Sequence, residues 1–145
     1  MSKNGIFWKI QRGELPVPQA AVTLGMEIRE VDETSGTICV TFDGKADFLN
    51  PAGQIQGGFL MAMLDDTLGP ALTATLEEGE FAPTLEMKVQ FLAPALTGQL
   101  TGRGRVISRG GTIAFLEGEL YQAERLIAKA TATAVVRRLH RQHVS

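Results

Sequence analysis

The longest apolar stretch of the chain runs from Gly57 to about Leu76. It is rich in Leu, Met and Ala and is apolar nearly all round, which predicts one long helix buried on most sides. Pro70 falls within this stretch, and because proline lacks a backbone donor the helix is expected to kink there or to end a first segment. The pattern therefore places a helix at the centre of the molecule.

Segments in which apolar and polar residues alternate predict about six strands around this helix. Two strands precede it, at 24–31 and 37–42, and the turn-forming residues 32–36 join them as a hairpin. Four strands follow, mostly joined by short turns, at 84–91, 100–108, 112–122 and 126–138. The last of these carries Ala at every second position from 128 to 134, so a bulky helix could lie close to that face.

The two ends of the chain have patterns of their own. Residues 1–20 predict a helical extension, in which Pro16 and Pro18 limit the helix to about residues 3–13. Residues 139–145 predict a flexible tail, and the basic cluster 137–141 is typical of a solvated terminus rather than a phosphate site. Phe7, Trp8 and Ile10 are suited to pack the opening helix onto the body.

The order β-β-α-β-β-β-β predicts a single α+β domain over residues 1–145, with an antiparallel sheet wrapped around one helix. The helix covers only the concave face of such a sheet. The opposite face and the edge strands therefore require a partner chain.

Composition excludes several classes of protein. A formal net charge of -2 and a pI near 5.7 do not fit a nucleic-acid partner. The single cysteine, Cys39, excludes an internal disulfide and is expected to be a buried strand residue. No segment has the pattern of a secretory signal or the roughly 18 to 20 apolar residues that span a bilayer, so we expect a cytoplasmic protein without membrane association.

Two adjacent carboxylates interrupt the apolar helix. Asp65 and Asp66 are the only charged residues between Asp47 and Glu77, and neither has a cation within one helical turn. Burying an ionised carboxylate without partners costs several kcal/mol or more, so we predict that at least one of them is catalytic. The alternative is a structural role, in which the carboxylate accepts hydrogen bonds or meets Lys or Arg from another strand.

The segment before the helix offers hydrogen-bond donors. Gly57-Gly58 at the helix start leaves backbone N–H groups free at the positive end of the helix dipole, a suitable place to polarise a carbonyl. Asn50 and Gln56 add side-chain amides, although glycines at a helix start also serve loop geometry alone. Gly57 and Asp65 are separated by about 12 Å along a helix, so one reaction that uses both needs Gly57 of one subunit and Asp65 of another.

The segment 50–58, Asn-Pro-Ala-Gly-Gln-Ile-Gln-Gly-Gly, followed by Asp65, resembles the signature of the PaaI-like, phenylacetate-degradation branch of the hotdog thioesterase superfamily. Residues 84–87 and 91–94 resemble the third strand of that family and the segment after it. The resemblance covers about residues 20–137. It implies a hotdog fold, hydrolysis of an acyl-CoA thioester, no metal, and no cofactor other than the coenzyme A of the substrate.

The resemblance also implies roles for individual residues. The Gly57 N–H polarises the thioester carbonyl, and Asp65 of the neighbouring subunit acts as nucleophile or as general base. Asn50 orients water or substrate, and Thr84 steadies the carboxylate or a nearby water. The remaining candidates are expected to bind substrate, with the last three near the CoA phosphates: Gly58, Asp66, Arg109, Gly110 and Gly111.

Gln56 departs from the family pattern, because many members carry His there. Glutamine can donate a hydrogen bond to the carbonyl but cannot titrate. This departure supports an alternative function, a non-catalytic acyl-CoA-binding or ligand-sensing module on the same fold. Hydratase or dehydratase chemistry ranks last, because the only histidines, His140 and His143, lie in the tail.

We expect a homo-oligomer, at least a dimer, and the resemblance favours a homotetramer. The sequence leaves aryl, short-chain and medium-chain acyl groups open.

Overall fold

The computed structural model of the chain describes residues 3–139 and contains two antiparallel sheets. The strands, in chain order, are β1 (Glu27–Asp32), β2 (Thr37–Gly44), β3 (Glu80–Phe81), β4 (Thr84–Phe91), β5 (Gly98–Arg109), β6 (Ile113–Gln122), β7 (Arg125–Val135) and β8 (Arg137–Arg138). Six of them form the main sheet in the order β1-β2-β5-β6-β7-β4, and β3 pairs with β8. The predicted α+β hotdog architecture, with about six strands around one helix, is confirmed.

The long helix α3 (Gly57–Thr73) packs against the concave face of the main sheet and supplies much of the core. Met63, Leu64 and Leu68 are essentially inaccessible to solvent. Pro70 does not end the helix, which continues for three more residues, so that part of the sequence prediction is wrong.

Three glycines let α3 lie close to the sheet. Gly102 and Gly104 of β5 face Thr67 of the helix, and Gly118 of β6 faces Leu68. A Cβ atom added at Gly118 would lie 2.7 Å from Leu68 Cδ2, and one added at Gly102 would collide with Thr67 Oγ1. The alanines of β7 at 128, 130, 132 and 134 are buried, as their pattern indicated.

The N-terminal extension forms two short helices, α1 (Ile6–Gln11) and α2 (Gln19–Thr23). The first lies within the predicted range, whereas the second was not predicted. Gly25, with φ at +62°, turns the chain between α2 and β1, which explains why β1 begins at Glu27 rather than at residue 24.

The C-terminal strand is shorter than predicted. β7 ends at Val135, and Arg137–Arg138 belongs to the small second sheet. The amide of Leu139 donates to Gly79 O at 2.8 Å, so the first residue of the predicted tail is held. Residues 140–145, including His140 and His143, lie outside the described part of the chain.

One face of the edge strand β4 carries apolar side chains that the protomer leaves open. Leu85 and Phe91, together with Leu92 just after the strand, are each more than half exposed. Cys39 is half-buried on β2 rather than fully buried. Within residues 3–139 no helix has the length and apolar character needed to cross a membrane.

Candidate active site

The start of α3 presents free backbone donors. Gln56 is the N-cap residue, and its carbonyl accepts hydrogen bonds from the amides of Phe59 and Leu60 at 2.9 and 3.3 Å. Gly57 and Gly58 are the first two helical residues, where an amide has no acceptor within its own helix. The helix start therefore has backbone donors without an acceptor in the helix, and their predicted use in polarising a carbonyl remains a prediction.

The ring of Phe91 limits the space at Gly57. A Cβ atom added at Gly57 would lie 3.3 Å from this ring, whereas one added at Gly58 would meet nothing within 4 Å. Glycine at position 57 thus lets an aromatic ring of β4 lie against the helix start. The Gln56 side chain is exposed and caps no backbone donor.

Asn50 shapes the loop that leads into α3. Its Oδ1 accepts hydrogen bonds from the amides of Ala52 and Gln54 at 2.9 and 3.1 Å. The loop turns at Gly53, with φ at +76°. The side-chain carbonyl of Asn50 is thereby engaged in a structural contact, and its predicted contact with water or substrate remains a prediction.

Asp65 and Thr84 come together at one end of a cleft. Thr84 Oγ1 donates a hydrogen bond of 3.1 Å to Asp65 Oδ1, joining α3 to the start of β4. Asp65 is exposed, and no Lys or Arg in the described part of the chain forms an ion pair with it. Its carboxylate is therefore open to a substrate and is held by a neutral donor rather than by a cation.

Asp66 has a different environment. Its Oδ2 atom is buried and has no hydrogen-bond partner among the described residues. Burial, with a smaller contribution from the charge of Asp65, raises the pKa of Asp66 to about 6. The two adjacent carboxylates thus have different environments, because Asp65 is exposed whereas Asp66 is half-buried.

The cleft that contains both carboxylates has a volume of about 670 Å³. Its walls come from the N-terminal extension, β1, α3 and the segment 81–84, and most of them are apolar. Neither Gly57, Gly58, Asn50 nor Gln56 lines it. The carbonyl-polarising and carboxylate halves of the predicted site therefore lie apart within one protomer, as their spacing along the helix requires.

The predicted phosphate contacts lie away from this cleft. Arg109 forms an ion pair of 3.4 Å with Glu80, a buried carboxylate that also accepts a hydrogen bond from the amide of Glu77. The amide of Gly110 donates to Ile113 O at 3.0 Å and closes the turn that contains Gly111. Arg109 thus has a structural partner that the sequence did not reveal, and its contact with CoA phosphates remains a prediction.

The sequence also missed the part that the N-terminal extension plays in the cleft. Ile6, Ile10 and Val17 line it, although the pattern indicated only that the extension packs on the body. The alternation of apolar residues could not show which of them face a cavity. No group of three or more His, Cys, Asp or Glu residues in the described part of the chain is placed to hold a metal ion.

Comparison with known proteins gives a consistent result. The model of the thioesterase superfamily matches residues 52–129. An esterase of Saccharolobus solfataricus, provisionally described as such, is 30% identical over 106 residues, which are 72% of this chain and 75% of the relative.

Two solved structures are similar. A protein of Ralstonia eutropha JMP134, provisionally described as a thioesterase and as phenylacetic acid degradation-related, is 46% identical with a TM-score of 0.87, over 89% of this chain and 98% of its own. A thioesterase of Haemophilus influenzae is 26% identical with a TM-score of 0.77, over 86% of both chains. The family match spans more than half of the chain and includes Gly57, Asp65 and Thr84. The chain therefore belongs to the thioesterase superfamily, and the predicted resemblance to its phenylacetate-degradation branch is confirmed.

Proposed function

We propose that the protein hydrolyses the thioester of an acyl-CoA or aryl-CoA in an active site that joins Asp65 of one subunit to Gly57 of another. The observation that carries the proposal is the environment of the Asp65 side chain. It is an exposed carboxylate in an otherwise apolar helix, held by Thr84 at the edge of a cleft, with no basic partner in the described residues. A carboxylate in this position serves chemistry better than it serves the stability of the fold.

The chemistry follows from two groups. The Gly57 N–H donates to the thioester oxygen, and its hydrogen bond strengthens as negative charge develops there. Asp65 either attacks the carbonyl carbon, which forms a mixed anhydride and releases the CoA thiolate, or removes a proton from a water that attacks in its place. In the first case water then hydrolyses the anhydride. Thr84 holds the carboxylate in position for either step.

The need for two subunits follows from geometry and from the exposed surface. Both groups lie on α3, about 12 Å apart along its axis. The helix face that carries Asp65 also carries the exposed Met61, and β4 adds Leu85 and Phe91, with Leu92 just after the strand. A partner that covers this apolar surface would bring its own helix start near Asp65. We therefore propose a homo-oligomer, at least a dimer and, by the family resemblance, a tetramer.

Gln56 is compatible with the proposed site, although its side chain cannot gain or lose a proton. Its side chain is exposed beside the Gly57 amide and makes no hydrogen bond that caps the helix. The side-chain amide can add a second donor to the carbonyl oxygen. Neither proposed step takes a proton from position 56, so histidine is not required there.

Thiol release from a panel of acyl- and aryl-CoAs tests the proposal. We expect Asp65→Asn to lower kcat by about 100-fold or more, because an amide neither attacks nor accepts the proton. Asp47→Asn, on the exposed 3-10 turn at Ala46–Phe48, is the matched control and should retain wild-type activity. Circular dichroism and oligomer size should be unchanged in both variants. Full activity in Asp65→Asn, or no hydrolysis of any substrate by the wild type, would contradict the proposal.

A further inference from the structure

The lining of the cleft beside Asp65 is mostly apolar. The two carboxylates and Thr84 are among its few polar residues, whereas Ile6, Ile10 and Val17 bring apolar side chains from the N-terminal extension. Among the described residues that line the cleft, none is Lys or Arg. The phosphates of CoA find no cation in this space, so its chemistry suits the acyl end of the substrate.

The N-terminal part of this lining is anchored rather than loosely attached. The indole Nε1 of Trp8 donates a 3.0 Å hydrogen bond to Ala74 O, just after the end of α3. Phe7 is buried and meets the Trp8 ring edge to face, with their centroids 4.9 Å apart. These contacts fix α1 on the body of the protein. Ile6 and Ile10, one helical turn apart, therefore line the cleft as a defined surface.

We propose that residues 6–21 select the substrate by the size of its acyl group. This inference rests on the proposed function. The segment forms an apolar wall against which an uncharged acyl group larger than acetyl lies, while its carbonyl stays near Asp65. The 670 Å³ of the cleft exceeds what a short acyl group fills, and each additional methylene buried there raises affinity roughly three- to fourfold. An acyl group that ends in a carboxylate is rejected, since Asp65 and Asp66 lie in the same cleft.

A larger side chain at a residue that lines the cleft tests this inference. Ile10→Trp in the full-length protein should lower kcat/KM for octanoyl-CoA by about tenfold or more, since the added ring takes the place of several methylenes. Its kcat/KM for butyryl-CoA should stay within about twofold of the wild-type value. Val22→Trp is the control, because Val22 lies on α2, is 52% exposed and does not line the cleft.

A binding experiment separates failure of this inference from failure of the proposed function. Calorimetric titration with the uncharged amides butanamide and octanamide, and with suberamate, an amide that ends in a carboxylate, needs no turnover. The wild type and Val22→Trp should bind octanamide more tightly than the other two ligands, and Ile10→Trp should lose that preference. Ile10→Ala, which removes apolar surface without filling space, should weaken octanamide binding several-fold if Ile10→Trp does not fold. An identical chain-length profile in wild type and Ile10 variants, or tight binding of suberamate, would overturn the inference even where hydrolysis is confirmed.

Discussion

Asp65 and Asp66 are neighbours in sequence but occupy opposite kinds of environment. Asp65 is exposed and accepts a hydrogen bond from Thr84, whereas one oxygen of Asp66 is buried and has no partner within residues 3–139. Burial favours the protonated form of Asp66, and the charge of Asp65 adds to this effect, so its pKa rises to about 6. Of the two adjacent carboxylates, Asp65 is thus the one proposed to act on the substrate, and the burial of Asp66 lowers the stability of the fold at neutral pH.

This cost predicts how stability depends on pH. Between about pH 4 and pH 7 the unfolded chain loses the Asp66 proton before the folded chain does, so the free energy of unfolding should fall as pH rises. The shift from 3.8 to about 6 corresponds to at most about 3 kcal/mol, and partial solvent exposure reduces this to about 1 to 2 kcal/mol. Asp66→Asn removes the ionisation and should be more stable than wild type at pH 7.5 but not at pH 4.5.

Urea unfolding at fixed protein concentration, at both pH values, measures this difference. Asp47→Asn is the control, because Asp47 is an exposed carboxylate on a short turn. Equal pH dependence in wild type and Asp66→Asn would show that the buried carboxyl does not carry the effect.

The carboxylate pair could be predicted from sequence because no other charge lies near it in the chain. The preference for Asp65 over Asp66 came from the family spacing, and the structure adds a physical reason, the accessibility of Asp65. The partner of Arg109 could not be predicted, because Glu80 is one of three glutamates in a polar segment. Only the fold shows that it is buried beside the end of β5.

At the scale of elements, the close contact between α3 and the sheet depends on glycines in the strands. Gly102 and Gly118 leave room for Thr67 and Leu68, so the helix lies directly on the backbones of β5 and β6. The buried hydroxyl of Thr67 donates a hydrogen bond of 2.8 Å to Met63 O, so this hydroxyl is paired within the helix.

We predict that Gly102→Ala lowers the free energy of unfolding by about 1 to 3 kcal/mol, because the added methyl collides with Thr67 at a contact that has no free volume. Gly111→Ala is the matched control, since a Cβ atom there meets nothing within 4 Å. Chemical denaturation measures both variants. Combining Gly102→Ala with Thr67→Ala should recover part of the loss, and equal stability of the two single variants would contradict the packing argument.

The elements themselves were largely predictable. β4 begins and ends where the alternation of its residues placed it, and α3 begins at Gly57 as predicted. The missed elements are short: α2 has five residues, and β3 and β8 have two each. Segments of this length carry too few residues for a periodic pattern, and β3 pairs with β8, which is distant from it in the sequence. The glycines of β5 and β6 that face α3 were not predicted as packing sites. A glycine in a strand does not indicate from the sequence which neighbouring element approaches it.

At the scale of the whole molecule, two features of the protomer support the proposed second subunit. Its edge strand β4 exposes Leu85 and Phe91, and its cleft holds Asp65 without the helix start that would polarise a carbonyl. A second subunit can cover the apolar surface of β4 and can supply the helix start that completes the site. The sequence predicts this arrangement from the spacing along α3, and it stays a prediction, while the number of subunits depends on surfaces that no local pattern encodes.

A test of the shared site needs a variant that removes only the polarising donor. Gly57→Pro does so, because proline fits the first position of a helix and lacks the N–H. Gln56 has ψ at 140°, the conformation that a residue before proline prefers, and a Cβ atom at position 57 would lie 3.3 Å from the Phe91 ring. Homo-oligomers of Gly57→Pro and of Asp65→Asn should both be inactive.

The decisive measurement is the acyl-CoA hydrolase activity of a hybrid dimer that contains one subunit of each variant, isolated by two different affinity tags. One of its two sites combines the intact Gly57 of the Asp65→Asn subunit with the intact Asp65 of the Gly57→Pro subunit. The hybrid should therefore recover about half of the wild-type activity per dimer. A hybrid as inactive as its two parents would show that the two groups do not meet across a subunit boundary.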